Sequence, residues 1–226
     1  NAYPGTQIHR TMAVIKSEGF EKPFLLDIMK IDSKTKNQYD LPFYYMGQVL
    51  SDNFDYNSPA TLSPLGKKNG YQHLYLEGKG EPSSNSTQFS WLGSGKYYTL
   101  TSATEQSDEL LLTRLGAKDP DFNLRRDAGL IIRRKDSGNT TFVSIVEPHG
   151  SYSPVSELSV NSNSNIAELN VVLDETNYTA VEIKDVKGQS NLFILSNGNA
   201  SASQQHQLKI SGKTYKWKGA YLYTDS

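Results

Sequence analysis

No cysteine occurs among the 226 residues, which removes disulfides, thiolate metal sites and cysteine nucleophiles together and leaves any metal to His, Asp or Glu. Neither charge dominates. With 23 Lys and Arg against 24 Asp and Glu, the formal charge is -1, so the chain lacks the broad positive field that holds phosphates, and nucleic acid is excluded as a main partner. The longest apolar stretches, "LLL", "GLII" and "FVSIV", are strand-sized, too short to span a bilayer as a helix. Sustained helical periodicity is missing too. "GSGK" at Gly93 to Lys96 lacks the Walker spacing and a following helix, and "DSKTKNQYD" from Asp32 lacks the glycine and closing glutamate of an EF-hand loop. No glycine-flanked serine elbow is present, and no repeat of solenoid or propeller period. The sequons at Asn85, Asn139, Asn177 and Asn199 matter only if a eukaryote makes the chain. Opening at Asn1 with no signal segment, the chain reads as a processed product or a fragment.

What is present is a succession of short apolar and aromatic runs bounded by Gly, Asn, Asp, Ser and Pro. "TMAVIK", "PFLLDIMKID", "FYYMGQVL", "YQHLYLEGKG", "ELLLTRLGA", "AGLIIRRK", "TTFVSIVEP", "SNLFILSN" and "TYKWKGAYLY" are among the candidate strands. "KDSGNT", "VKGQSN" and "ISGKTY" put glycine between alternating runs, the chemistry of hairpin turns. With no helix available for parallel crossovers, the expectation is an all-β fold of stacked antiparallel sheets, β-sandwich-like, in a single domain over 1–226. No helix should exceed about three turns, and the apolar sides of "GLIIRR" and "TFVSIV" should face a shared core.

Four histidines remain to be placed. His206 sits in a polar stretch and reads as solvated; His149, in "VEPHGSY", follows a strand and reads as fixing a turn through backbone. His9 and His73 lie at or in strands, and Asp27 interrupts the apolar run "PFLLDIM". A carboxylate there is costly unless it is paired, hydrogen-bonded or bound to a cation. Two imidazoles and a carboxylate from different strands can fill three corners of a tetrahedral zinc site. The competing reading is that each is satisfied by backbone or arginine.

The combination of "HRTM", "FLLDIMKID", "YDLPFYYMGQ", "FNLRRDAGLIIRR" and "VEPHGSYSPVSE" resembles the C-terminal β domain of polysaccharide lyase family 17, the exolytic oligoalginate lyases of the heparinase II/III-like group. The likeness runs from about Tyr3 to Tyr223. It implies a stacked β-sheet fold packed on an N-terminal α/α toroid, with the substrate cleft between them, and a mainly structural zinc held by His9, Asp27 and His73, with His149 or water as an alternative ligand. It also implies a cleft tyrosine at Tyr44, with Tyr45 as the neighbour. Strand alternation sends these two to opposite faces, so only one can enter the cleft. Relatives often carry H-x-H-R where this chain has Gln7, His9 and Arg10; Gln7 can hydrogen-bond a substrate carboxylate but cannot carry charge.

The implied partners are a uronic acid oligosaccharide, alginate, and the toroid of the same enzyme; the implied location is periplasmic or secreted. The family's general base and acid belong to the toroid. β-Elimination needs the carboxylate neutralised, the C5 proton removed and the leaving oxygen protonated, and none of Tyr44, Gln7 and Arg10 is a lone base near neutral pH. The 226-residue chain is therefore expected to be inactive by itself. Two other readings are a carbohydrate-binding module stacking sugars on rings such as Trp91 and Trp217, and a purely structural domain.

Overall fold

The computed structural model describes residues 3–117, 123–198 and 200–225, with side chains left undescribed at 117, 123–126 and 225. The Asn199 sequon lies outside them. The chain runs as β1 (Thr6–Ile15), β2 (Phe24–Ser33), β3 (Asn37–Tyr45), β4 (Gln48–Asp52), β5 (Tyr56–Asn57), a 3-10 turn (Tyr71–His73), β6 (Leu74–Gly80), β7 (Ser86–Gly93), β8 (Lys96–Ala103), β9 (Glu109–Ala117), β10 (Asn123–Ser137), β11 (Thr140–Ser153), β12 (Leu158–Val160), β13 (Ile166–Asp174), β14 (Tyr178–Asp185), β15 (Ser190–Ser196), β16 (Gln205–Ile210), β17 (Lys213–Lys218) and β18 (Tyr221–Asp225). The expected all-β, antiparallel architecture is what the structure shows.

Four layers stack. A central sheet, β1-β2-β11-β8-β7-β4 with β12 alongside β11, is covered on one face by β3-β10-β9-β6-β5 and on the other by β13-β14-β15-β18; the ribbon β16-β17 lies beyond the latter. Burial on both faces explains why β2 and β11 read as near-continuous apolar runs instead of alternating ones. Along β2, Phe24, Leu26 and Ile28 join Ile166, Leu169, Val181 and Phe193 in one core. Ile31 joins Leu41, Leu130, Ile132 and Phe142 in the other. "GLIIRR" and "TFVSIV" thus share a core through Leu130, Ile132 and Phe142, while Val143 and Ile145 turn to the first core. β15 is two-sided in the same way: Phe193 and Leu195 face the central sheet, and Leu192 and Ile194 meet Ile210, Tyr215 and Trp217 of the ribbon.

The hairpin readings hold for "GSGK", "VKGQSN" and "ISGKTY", whereas "KDSGNT" is no hairpin turn: it links β10 to β11, strands of different sheets. "GSGK" is the β7–β8 turn, with positive φ at Ser94 and Gly95, and "ISGK" is the β16–β17 turn, with positive φ at Ser211 and Gly212. Positive φ at both central residues is the type I′ pattern, whose twist matches that of the strands. Local expectations at three histidines are corrected. His206 is not solvated: it lies in β16, 9% exposed, with Tyr178 Oη 3.1 Å from its Nδ1 and the Trp217 ring stacked on it at 4.9 Å. His73 is not in a strand but ends the 3-10 turn before β6, because residues 70–73 close i→i+3 bonds there. His149 does not follow a strand but lies inside β11, fully buried: its Nδ1–H donates to the carbonyl of Asn161, just past β12, at 2.7 Å, and its Nε2 lies 3.0 Å from Thr99 Oγ1, so it ties β12 to β11 and β8.

Candidate functional site

β3 presents its two faces as alternation requires. Tyr39, Phe43 and Tyr45 turn toward the central sheet, so Asp40 and Tyr44 stand on the outer face of their own sheet. Tyr44 is 60% exposed. Opposite it in the register is Gly129, where a Cβ would come within 3.2 Å of the Tyr44 ring and 3.1 Å of Thr113 Oγ1. The missing side chain lets the phenol lie along β10 while its hydroxyl reaches solvent.

On the same face, Asp40 accepts from Arg133 Nε at 2.9 Å and Nη2 at 2.7 Å, and from Tyr71 Oη at 2.6 Å. The segment between β5 and β6 is therefore tied to this face at Asp40, four residues along the strand from Tyr44. Burial, then the hydrogen bond to Asp40, push the Tyr71 hydroxyl up to about 12; the Asp40 hydrogen bond also raises Arg133 above its ordinary value. Sequence reasoning missed this trio. Asp40 and Arg133 both lie in the blocks that carry the family likeness, and only the strand register pairs them.

β1 is the free edge of the central sheet. Its pairing with β2 sets Arg10 opposite Met29 and Met12 opposite Asp27, so Arg10 and Asp27 share a face. Arg10 donates Nε to Asp27 at 2.9 Å and Nη2 at 2.6 Å. Asp27 is 6% exposed, whereas the Arg10 side chain is 48% exposed. The interrupting carboxylate of β2 is thus satisfied by arginine, and that hydrogen bond raises the Arg10 guanidinium above its ordinary value. His9 lies opposite Lys30 and, by alternation, on the other face with Gln7, both exposed. His73 is exposed on the turn before β6, in the neighbouring sheet.

As placed here, His9, Asp27 and His73 do not form a ligand set: two stand on opposite faces of one hairpin, the third belongs to another sheet, and both Asp27 oxygens are engaged. Among the described residues no three His, Asp or Glu side chains cluster as metal ligands. The structure instead brings together an expected substrate contact, Arg10, and an expected metal ligand, Asp27.

Tyr45 occupies the mouth between the two sheets, its ring 5.0 Å from Phe89 and 5.8 Å from Trp91. Burial, then the nearby charge of Glu77, raise its hydroxyl above the ordinary phenol value. Trp91 stacks on Tyr98 at 5.4 Å, so it is held in an aromatic row inside the mouth, while Trp217 is buried under the ribbon.

The fold and these faces define a stacked β-sheet domain with a polar, aromatic outer surface. An alginate lyase of Stenotrophomonas maltophilia (strain K279a) is 31% identical over 226 residues, 100% of this chain and 30% of that protein. An exo-oligoalginate lyase of Saccharophagus degradans is 30% identical over 223 residues, 97% of this chain and 30% of that protein. No family model matches the chain. The chain spans about 30% of the length of these curated relatives, and it is a polysaccharide-lyase-related domain.

Proposed function

We propose that the chain is the β part of a longer lyase that cleaves a uronic acid polymer, alginate, by β-elimination, and that the outer face around Tyr44 forms one wall of the cleft. What carries the reading is Tyr44 itself: a large aromatic side chain, exposed, yet seated on a glycine, on the same sheet face as the Asp40–Arg133–Tyr71 network, in a chain matched over nearly its whole length to part of two alginate lyases. A side chain whose setting is prepared in this way contributes orientation. Its hydroxyl can hydrogen-bond a sugar or the leaving oxygen. Arg10, with Nη1 left over from its bond to Asp27, is the group that β1 offers to a carboxylate on that face, while Gln7 stands on the opposite face of the strand and cannot share the same carboxylate.

The proton abstraction is assigned to a partner region, an N-terminal α/α toroid, outside these residues. No step is assigned to zinc, because the expected ligands are not assembled. A polymer substrate too large to enter a cell intact goes with a periplasmic or secreted location. The test is the ultraviolet absorbance of the unsaturated product: the longer enzyme should form it from oligomannuronate, the 226-residue chain should not, and Tyr44→Phe in the longer enzyme should lower turnover while leaving its folding intact.

A further inference from the structure

We infer that the mouth between the two larger sheets is a pyranose-binding pocket, separate from the outer face that carries Tyr44. It is a cleft of about 390 Å3 whose lining includes Tyr45, Asp52, Tyr56, Glu77, Phe89 and Arg114, in the range of small-ligand sites and sized for one sugar residue.

Its aromatic wall is built. Tyr56 is 44% exposed, and its ring lies on Gly78, where a Cβ would come within 2.7 Å of it. Gly80 likewise leaves room for the backbone of β5, since a Cβ there would fall 2.2 Å from the Asp55 carbonyl oxygen. Two glycines in one strand thus bring a tyrosine flat against β6, where glycine otherwise weakens a strand. Tyr45, held by Phe89 and Trp91, forms the facing side. Such rings offer the apolar face that a pyranose presents through its C–H groups, while the sugar hydroxyls need donors and acceptors at the rim.

The rim supplies both. Arg114 donates Nε to Glu77 at 2.6 Å, and among the described residues its terminal amino groups have no partner, so they remain available as donors. The second oxygen of Glu77 and the carboxyl of Asp52 are the acceptors. A guanidinium and carboxylate joined at one edge present neighbouring donors and acceptors in one plane, which suits two adjacent hydroxyls. Arg114, Glu77 and Asp52 together bring one positive and two negative charges, so the pocket is not an anion trap. It recognises the ring and its diol, and a uronate carboxylate is left toward solvent or the free end of Arg114. This rests on the chain being a polysaccharide-lyase-related domain but not on its forming a catalytic wall.

The test is amide NMR of the 226-residue chain titrated with methyl mannopyranoside and, separately, with sodium mannuronate. Saturable shifts centred on Tyr56, Gly78 and Arg114 with both sugars are expected. Tyr56→Ala should weaken binding about fivefold, and Gly78→Val should do the same by lifting the ring. Glu77→Gln, which releases Arg114, should shift the preference toward mannuronate. No saturable shift at these amides with either sugar, or shifts unchanged by Tyr56→Ala and Gly78→Val in folded protein, would overturn the pocket. Product formation by the longer enzyme separates the two proposals: activity without pocket binding defeats only the pocket, and pocket binding without activity defeats only the lyase reading.

Discussion

At the scale of single residues, the pair formed by Arg10 and Asp27 is asymmetric. Removing the arginine strands a buried carboxylate, whereas removing the aspartate leaves a half-exposed guanidinium that water can serve. Arg10→Gln should therefore destabilise the chain by about 1–2 kcal/mol, discounted for the exposure of the arginine, and more than Asp27→Asn, in which a neutral amide replaces the charge. Denaturant titration of both variants checks the order; a larger loss in Asp27→Asn would mean that the carboxylate is held by something other than Arg10. Metal analysis of protein purified without chelator bears on the same residue. With Asp27 engaged as described, added zinc should leave the unfolding midpoint unchanged, and a stabilisation by zinc that Asp27→Asn abolishes would show that the carboxylate exchanges its partner. The sequence made the cost of Asp27 visible. It could not choose between cation and arginine, because the choice depends on which face of the hairpin each residue takes, and only the pairing of Met12 with Asp27 fixes that.

Among the elements, β3 and β10 are where local pattern and tertiary setting meet. The alternation of "YDLPFYY" was enough to separate Tyr44 from Tyr45, while the near-continuous runs of β2, β11 and β15 were read only as strands, and the structure accounts for them by burial on both faces. The 3-10 turn at His73 and the burial of His206 were not legible, since one is decided by i→i+3 bonds beside Gly70 and the other by Trp217 and Tyr178 closing over a polar sequence. Gly129→Ala should be accepted by β10, because this position has no positive φ and a single added Cβ asks Thr113 Oγ1 and the Tyr44 ring to give by only a few tenths of an ångström. It should nevertheless shift Tyr44 on its seat: an unchanged melting curve with reduced turnover in the longer enzyme is the expected result, and full turnover would mean that the glycine does not serve the tyrosine. The segment tied to the outer face carries a pH signature. The Tyr71 hydroxyl lies near 12 in the fold against an ordinary 10, so the folded state disfavours its ionisation. The stability this contributes is complete below about pH 10 and is lost as pH rises toward 12. Alkaline unfolding monitored at increasing pH should start earlier than in Tyr71→Phe, which has no phenol to ionise there; identical alkaline limbs would remove Tyr71 from the network.

For the molecule as a whole, four layers stack so that one face of the β3-β10-β9-β6-β5 sheet packs on the central sheet and the other carries Tyr44 and the Asp40–Arg133–Tyr71 network. The all-β class was readable because every candidate run is strand-length and bounded by turn residues. The face proposed as a cleft wall could be picked out only through the family likeness, since a single exposed tyrosine is unremarkable in a chain with 14 of them. Its Gly129 seat and the pairing of Asp40 with Arg133 on the same face came from strand register, and Tyr71 joins them from the 3-10 turn. The central claim is that this face is half of an elimination site, with positioning groups here and proton transfer elsewhere. The most direct measurement is the rate of unsaturated-product absorbance on oligomannuronate for three proteins side by side: the 226-residue chain, the longer enzyme, and the longer enzyme with Tyr44→Phe. The account predicts no product from the first, rapid product from the second, and from the third a rate reduced about 100-fold or more with unfolding unchanged. Product from the 226-residue chain alone, or a Tyr44→Phe rate equal to that of the parent, would contradict it.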